Sequence, residues 1–143
     1  MTHEQTRTDG YVRSDSRARL DFAVVHAALA ASYWSPGVSR ETVERAAAGS
    51  VPFGLYAPTG EQVGYARVVT DRTTFAYLAD VVVVDAHRGR GLGQWLVEGV
   101  LAHPDLQGLR RWMLATHDAH SLYARFGFAP LPQPEHFMQR TDP

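Results

Sequence analysis

A glycine-rich loop directly after a run of valines is the feature of this sequence that could bind a phosphate group. The run ends at Val82, Val83 and Val84, and the loop then comprises Arg88, Gly89, Arg90, Gly91, Leu92, Gly93 and Gln94. Because glycine has no Cβ, the N–H groups of residues 89–93 can converge on one anion. The periodicity of the residues that follow predicts a helix. The start of that helix adds free amides and a partial positive charge of about half a unit. The pattern predicts a phosphate-binding loop.

The spacing of the glycines argues against two common nucleotide-binding loops. A Walker A loop ends in Gly-Lys-Ser/Thr, whereas Gly93 is followed by Gln94 and Trp95. The dinucleotide fingerprint G-x-G-x-x-G is also missed, because this loop reads G-x-G-x-G and no carboxylate about 20 residues later is placed to hold a ribose. The residues do match Arg-x-x-Gly-x-Gly, as Arg88, Gly91 and Gly93.

In this loop the chain resembles the GCN5-related N-acetyltransferase (GNAT) superfamily, whose members bind the pyrophosphate of acetyl-coenzyme A there. A second segment, residues 115–128, is similar to the later signature of the superfamily: a strand ends, a short helix carries Tyr123, and the helix terminates in Gly127-Phe128. Leu122 and Phe126 share one helix face, and Gly127 is a plausible helix C-cap. The resemblance covers about residues 50 to 140.

The resemblance implies roles for individual residues. The strand before the loop splays from its parallel neighbour, so the main-chain groups of Val82, Val83 and Val84 would pair with pantetheine, and residues 88–94 would hold the pyrophosphate. Tyr123 matches the tyrosine that protonates the leaving thiolate, and Asp80 matches a carboxylate that acts as general base, directly or through water. The alternatives are a packed core tyrosine and an aspartate that only caps or pairs.

The acceptor side carries less sequence information. By position in the superfamily, the loop between the first two helices lines the acceptor, which makes Tyr33, Trp34, Ser35 and Arg40 candidates; the aromatic pair could equally anchor the helix to the sheet. His117 and His120 have H-x-x-H spacing but lack a third ligand, so we expect no metal. Asp118 is expected to cap the next helix and, with His117, to face the acceptor. Thr116 stands where many relatives carry asparagine.

Composition limits the function classes. The 143 residues carry 14 basic and 15 acidic side chains, a net charge of −1. The sequence therefore has no excess of positive charge of the kind that binds nucleic acid. No apolar run approaches the about 18 residues that span a bilayer, and no signal-peptide pattern is present, so we expect a cytoplasmic protein without membrane contact. The absence of cysteine excludes disulfides and a thiol nucleophile.

Periodicity and turn chemistry predict the elements. We expect a frayed terminus at residues 1–8, a strand near Tyr11, a helix through Leu20 and Ala31, and a helix over residues 40–48 that Ser39 caps and Gly49 ends. Strands are predicted at residues 52–57, 62–70, 74–84 and 111–115, helices after Gly91 and around Tyr123, and late strands near Phe128 and Phe137. The fold class is α/β (α+β): one domain over residues 1–143, with a mixed, mostly antiparallel sheet whose central parallel strand pair splays and which helices flank.

Two function classes follow. The first is an acetyl-CoA-dependent N-acetyltransferase whose acceptor is a small-molecule amine or a peptide, with a homodimer as an option. The second is a non-catalytic acyl-CoA sensor, which would keep the residues from Arg88 to Gly93 but would not need Tyr123 or Asp80. Because both polar residues are present, the sequence favours the enzyme.

Overall fold

The structure is a computed structural model that describes residues 1–142. Within these residues, six strands and four helices follow one another: β1 (Glu4–Thr6), β2 (Val12–Ser14), α1 (Phe22–Ala30), α2 (Arg40–Ala48), β3 (Val51–Tyr56), β4 (Gln62–Thr70), β5 (Phe75–Val83), α3 (Leu92–Leu101), β6 (Arg111–Met113) and α4 (His120–Ala124). Short 3-10 turns lie at Arg17–Arg19, Asp85–His87, Pro104–Leu106 and Pro134–His136. No helix within residues 1–142 is both long enough and apolar enough to cross a bilayer.

The six strands form one sheet in chain order, antiparallel throughout except for the parallel pair of β5 and β6. This matches the predicted mixed sheet, because the chain between β5 and β6 contains α3 as a crossover helix. The alternation of side chains along the strands separates two apolar faces. Val51, Phe53, Ala66 and Val68 pack with α3 on one face, and Tyr65 packs with α1 and α2 on the other.

Helix α2 shows how local chemistry sets the boundaries of an element. The Ser39 hydroxyl oxygen accepts a hydrogen bond from the Thr42 backbone N–H at 3.1 Å, which satisfies one of the free amides of the first turn. The helix ends at Ala48, and Gly49 is its C-cap. Both boundaries agree with the sequence prediction.

Two terminal segments differ from the expectation. Residues 4–6 are not frayed but form β1, which pairs antiparallel with β2; the Glu4 carboxylate accepts from the Ser14 hydroxyl at 2.8 Å across this pair. The late strands predicted near Phe128 and Phe137 are wrong, since no strand lies beyond β6 in the described part of the chain. Pro130, Pro132 and Pro134 explain this, because each removes a backbone donor that a sheet ladder needs.

Candidate active site

The two parallel strands at the centre of the site separate after a short pairing. Strand β5 pairs with β6 only from Phe75 to Tyr77, opposite Arg111–Met113, and then continues for six more residues to Val83. The gap is a groove of about 980 Å³. Its walls are the end of β5, the glycine loop, α4 and a face of small side chains on α1 and its C-cap, namely Ala23, Ala27, Ala28 and Ala31. An extended ligand can therefore lie between the splayed strands.

The main-chain groups of β5 are not equally available to the groove. The Val84 N–H donates to the Val63 carbonyl at 2.8 Å, and the Val84 carbonyl accepts from the His87 N–H at 3.0 Å. Hydrogen-bonding direction alternates along a strand, so Val82 also faces β4 and Val83 faces the groove. All three valines line the groove, but the main-chain groups of Val84 are occupied by Val63 and His87, so the main chain of Val83 is the one that faces a ligand. The cofactor-binding role of the three valines stays a prediction.

The glycine loop has the backbone that its sequence predicts. Gly89 and Gly91 have φ of +80° and +71°, values that side chains disfavour, and Gly91 is the N-cap of α3. Within residues 1–142, the N–H groups of residues 89–94 donate to no recorded acceptor. A Cβ at Gly89 would have nothing within 4 Å, and one at Gly91 would meet only the end of Arg7 at 3.9 Å. The loop thus presents a row of free donors to solvent, a cradle that suits a pyrophosphate.

The other predicted loop residues differ in what they do. Leu92 is buried in the apolar core and anchors the start of α3. The Arg88 guanidinium folds back on the loop: its Nε donates to the Val83 carbonyl at 3.1 Å, and its Nη1 lies 2.8 Å from Asp85. The Gln94 amide oxygen accepts from Arg125 at 2.7 Å, which joins α3 to the end of α4. Arg90 is exposed at the tip of the loop.

A second chamber of about 470 Å³ opens on the other side of the splay. The α1–α2 connection supplies Tyr33 and Trp34, α2 supplies Thr42 and Val43, and the sheet supplies Arg67 and Asp80. Tyr33 and Trp34 meet edge to face with ring centroids 5.0 Å apart. The groove and the chamber meet at six residues that line both of them. These residues are Tyr33, Trp34, Val81, Asp118, Ala119 and Tyr123.

Tyr123 stands at that junction. Its ring is buried against Phe128, with centroids 6.0 Å apart, and within residues 1–142 its hydroxyl has no recorded hydrogen-bond partner. Burial raises the pKa of Tyr123, and the nearby Tyr33 and Asp118 raise it further. The phenol is therefore protonated at neutral pH, and Tyr123 lines both spaces. A protonated phenol at their junction can donate its proton to a leaving group.

Asp80 lines the same chamber, but both its oxygens are occupied. Arg67 Nε donates to Asp80 Oδ2 at 2.6 Å, and Trp34 Nε1 donates to Oδ1 at 2.9 Å. Asp80 has a φ of +57° and lies in a β-bulge, where residues 80 and 81 oppose Ala66 alone. The structure thus places Asp80, Tyr123 and the aromatic pair around one chamber. The base role of Asp80 stays a prediction, and its two hydrogen bonds favour a positioning role.

The remaining candidates lie at or outside the chamber mouth. The His117 N–H donates to the Tyr33 hydroxyl at 3.2 Å, and both His117 and Asp118 are exposed. Asp118 does not cap α4, because the N-cap residue is Ala119 and no side chain caps the helix. The Thr116 hydroxyl accepts from the Ala119 N–H at 3.0 Å and orders the turn before the helix. Arg40 pairs with Glu44 on the outer face of α2 and lines neither space.

Three contributors were missed in the sequence. Arg67 and Arg125 hold predicted residues by long-range contacts, which no local pattern announces. The alanine face of α1 could have been found, because Ala23, Ala27 and Ala31 recur at i, i+4 and i+8, and this spacing makes one helix face narrow enough for a neighbour or ligand to approach closely.

Comparison with known proteins agrees with this geometry. Residues 20–128 match the family model described as the Acetyltransferase (GNAT) family. The chain belongs to the GNAT family of acetyltransferases. Its fold resembles a crystal structure of a candidate GNAT acetyltransferase from Xanthomonas campestris pv. campestris, with 42% identity and a TM-score of 0.87 over 100% of this chain and 94% of that one.

Other GNAT relatives extend the comparison. A candidate acetyltransferase of Gibberella zeae is 33% identical over 148 residues, 87% of this chain and 82% of its own. The N-alpha-acetyltransferase 80 of Mus musculus is 41% identical over 68 residues, which span 46% of this chain and 22% of that protein. A GNAT family acetyltransferase from Elizabethkingia anophelis with acetyl-CoA bound shares the fold, with 13% identity and a TM-score of 0.65 over 85% of this chain and 78% of its own.

Proposed function

We propose that this protein transfers the acetyl group of acetyl-CoA to a primary amine by direct attack. The observation that carries the proposal is the meeting of two separate spaces at one buried tyrosine, Tyr123. A groove with a glycine cradle at one end suits a long thioester with a pyrophosphate, and the second chamber leaves room for an acceptor. An acyl-CoA sensor would need the groove but not the chamber.

The chain supplies two binding elements for the acetyl donor. The free N–H groups of residues 89–94 and the N-terminus of α3 would hold the pyrophosphate. The Val83 main chain faces the groove and would pair with the pantetheine amides once Arg88 releases its carbonyl. Acetyl-CoA supplies the acetyl group as a thioester, and its carbonyl carbon would lie near the junction with the acceptor chamber.

The proton balance assigns a task to Tyr123. As the amine nitrogen bonds to the carbonyl carbon and the C–S bond breaks, the sulfur leaves as a thiolate and takes the Tyr123 proton. The amine loses a proton to water or to Asp80, and a proton from solvent restores the phenol. The raised pKa of Tyr123 keeps the donor protonated before each turnover.

The donor side is tested by binding. Coenzyme A should raise the Tm of the protein, and ATP and NAD should do so far less. Gly91→Asp should weaken coenzyme A binding about 10²-fold, because a carboxylate about 5 Å from a phosphate costs about 3 kcal/mol at an effective dielectric of about 20. Gly108→Asp is the matched control, since Gly108 has a φ of +72° and open space around it. Equal weakening in both variants would contradict the proposed cradle.

The catalytic step is tested by thiol release from acetyl-CoA with a panel of amines. The chain contains no lysine, so transfer to its own side-chain amines cannot mimic acceptor turnover. Tyr123→Phe should slow the chemical step by about 10²- to 10⁴-fold with little change in coenzyme A affinity. Tyr56→Phe is the control, because Tyr56 is also buried but lines neither space. No thiol release with any amine would favour the sensor.

A further inference from the structure

The acceptor chamber is apolar and aromatic, and its size suits a small molecule. Leucine, valine and alanine side chains of α1, α2 and the sheet form its floor, where Leu29 and Val43 are almost fully buried. Four aromatic rings face it, those of Tyr33, Trp34, Tyr77 and Tyr123. At about 470 Å³ it falls in the usual range for a small-molecule site, about 300–1,000 Å³.

The charges around the chamber discriminate against an anionic acceptor. Only Arg67, Asp80 and Asp118 among its lining residues carry a charge at neutral pH. The Arg67 guanidinium is committed to the Asp80 carboxylate at 2.6 Å and to the Ser50 hydroxyl at 3.2 Å. The lining therefore offers no uncommitted cation, and its net charge is −1. A carboxylate or phosphate on the acceptor would lose water without gaining a cationic partner.

The aromatic pair at the chamber wall is exposed and yet held in place. Tyr33 and Trp34 keep 52% and 43% of their surface exposed. Trp34 is fixed by its hydrogen bond to Asp80, and the Tyr33 hydroxyl accepts the His117 N–H. Rings that are fixed before a ligand arrives lose little conformational entropy on binding, so they form a ready surface for stacking and for contact with an ammonium group.

From these three observations we propose that the acceptor is a primary amine on an aromatic body that carries no carboxylate or phosphate. This inference rests on the acetyltransferase function proposed above. Asp118, at the junction of the two spaces, attracts the ammonium toward Tyr123, and the Tyr33–Trp34 pair packs on the aromatic body. Free amino acids and phosphorylated amines are excluded by the missing cation.

Matched pairs of acceptors test the charge argument. Phenethylamine and phenylalanine, and tryptamine and tryptophan, differ by one carboxylate, and kcat/KM for each is measured by thiol release at saturating acetyl-CoA. We expect each amine to exceed its amino acid by about 10²-fold or more, and phenethylamine to exceed n-butylamine about tenfold. A ratio near one, or a preference for spermidine or for a peptide N-terminus, overturns the inference while the acetyltransferase function stands.

Two further measurements distinguish a failure of this inference from a failure of the proposed acetyltransferase function. Tyr33→Leu should raise KM for phenethylamine about tenfold and leave KM for n-butylamine within about twofold. Phe137→Leu, a partly exposed ring outside both spaces, should change neither. Binding of phenethylamine in the presence of coenzyme A, followed by ligand-observed NMR, decides the inference without turnover. Binding by phenethylamine but not by phenylalanine supports it even if no thiol is released; failure of phenethylamine to bind overturns it even if another amine reacts.

Discussion

Breaking the Arg67–Asp80 pair tests the positioning role of Asp80. Their side chains keep only 21% and 14% of their surface exposed, and the N–O distance is 2.6 Å. Asp80→Asn removes the charge but keeps the shape, and asparagine tolerates the positive φ that Asp80 adopts. The stability change therefore reports the lost ion pair and not a change in backbone strain.

The magnitude follows from burial. Removing one partner of a fully buried ion pair costs about 3–5 kcal/mol, because the other charge is left without compensation. Here the pair is partly solvated, and Arg67 keeps the Ser50 hydroxyl at 3.2 Å, so we expect a loss of about 2 kcal/mol. In a chain of 143 residues this lowers Tm by about 6 °C.

The assay is a double-mutant cycle measured by urea unfolding. Arg67→Met should cost about the same as Asp80→Asn, and the double variant should lose about 2 kcal/mol rather than 4, since the second change removes an already uncompensated charge. Additive losses would show that the two side chains do not stabilise each other. In kinetics, a positioning role predicts a raised KM for the acceptor through the loosened Trp34, whereas a base role predicts a loss in kcat of at least about 10²-fold.

Three further predictions concern stability. Ser39→Ala should cost about 1 kcal/mol through the lost N-cap of α2, and Ser39→Asp should restore most of it in urea unfolding. Tyr65→Phe should change stability by less than about 1 kcal/mol, because the buried hydroxyl has no hydrogen-bond partner within residues 1–142. Burial raises the pKa of Tyr65 to about 12, so between pH 10 and about 12 the phenol ionises in the unfolded wild type and not in the folded one. The variant should therefore lose less stability than wild type over that pH range. Hydrogen bonds from Thr74, Thr73 and Phe75 lower the pKa of Asp71 below its ordinary value of 3.8. The stability that these bonds confer is present above about pH 4 and is lost as pH falls through the folded-state pKa. An NMR titration of the Asp71 carboxyl carbon in the wild-type protein should give a midpoint below 3.8.

Capping residues, turn residues and hydrophobic alternation in the sequence predicted the helices and strands whose bounds depend on neighbouring residues. The hydroxyl of Ser39 and the break at Gly49 set the bounds of α2, and the meander of β3, β4 and β5 follows alternation and turn residues. Strand β1 escaped prediction because its three polar residues are exposed, and what orders them lies across the chain, in Ser14 and Arg13. The proline-rich segment after Phe128 carries aromatic residues that suggest strands, but its missing N–H donors prevent them.

Local sequence pattern predicts the site where the chemistry depends on chain-adjacent residues, as in the glycine loop. It does not do so where a strand changes which face a residue occupies, and Asp80 was singled out only through the family resemblance. In β5, Ala76 and Leu78 face α3, so simple alternation would place Asp80 in the same apolar core. The bulge shifts the phase: Val81 and Val83 face α3, whereas Asp80 lines the acceptor chamber. A positive φ at a residue other than glycine costs about 1 kcal/mol, and the Arg67 and Trp34 hydrogen bonds offset it. Those partners lie 13 and 46 residues away, so periodicity within β5 cannot reveal that Asp80 belongs to the acceptor side.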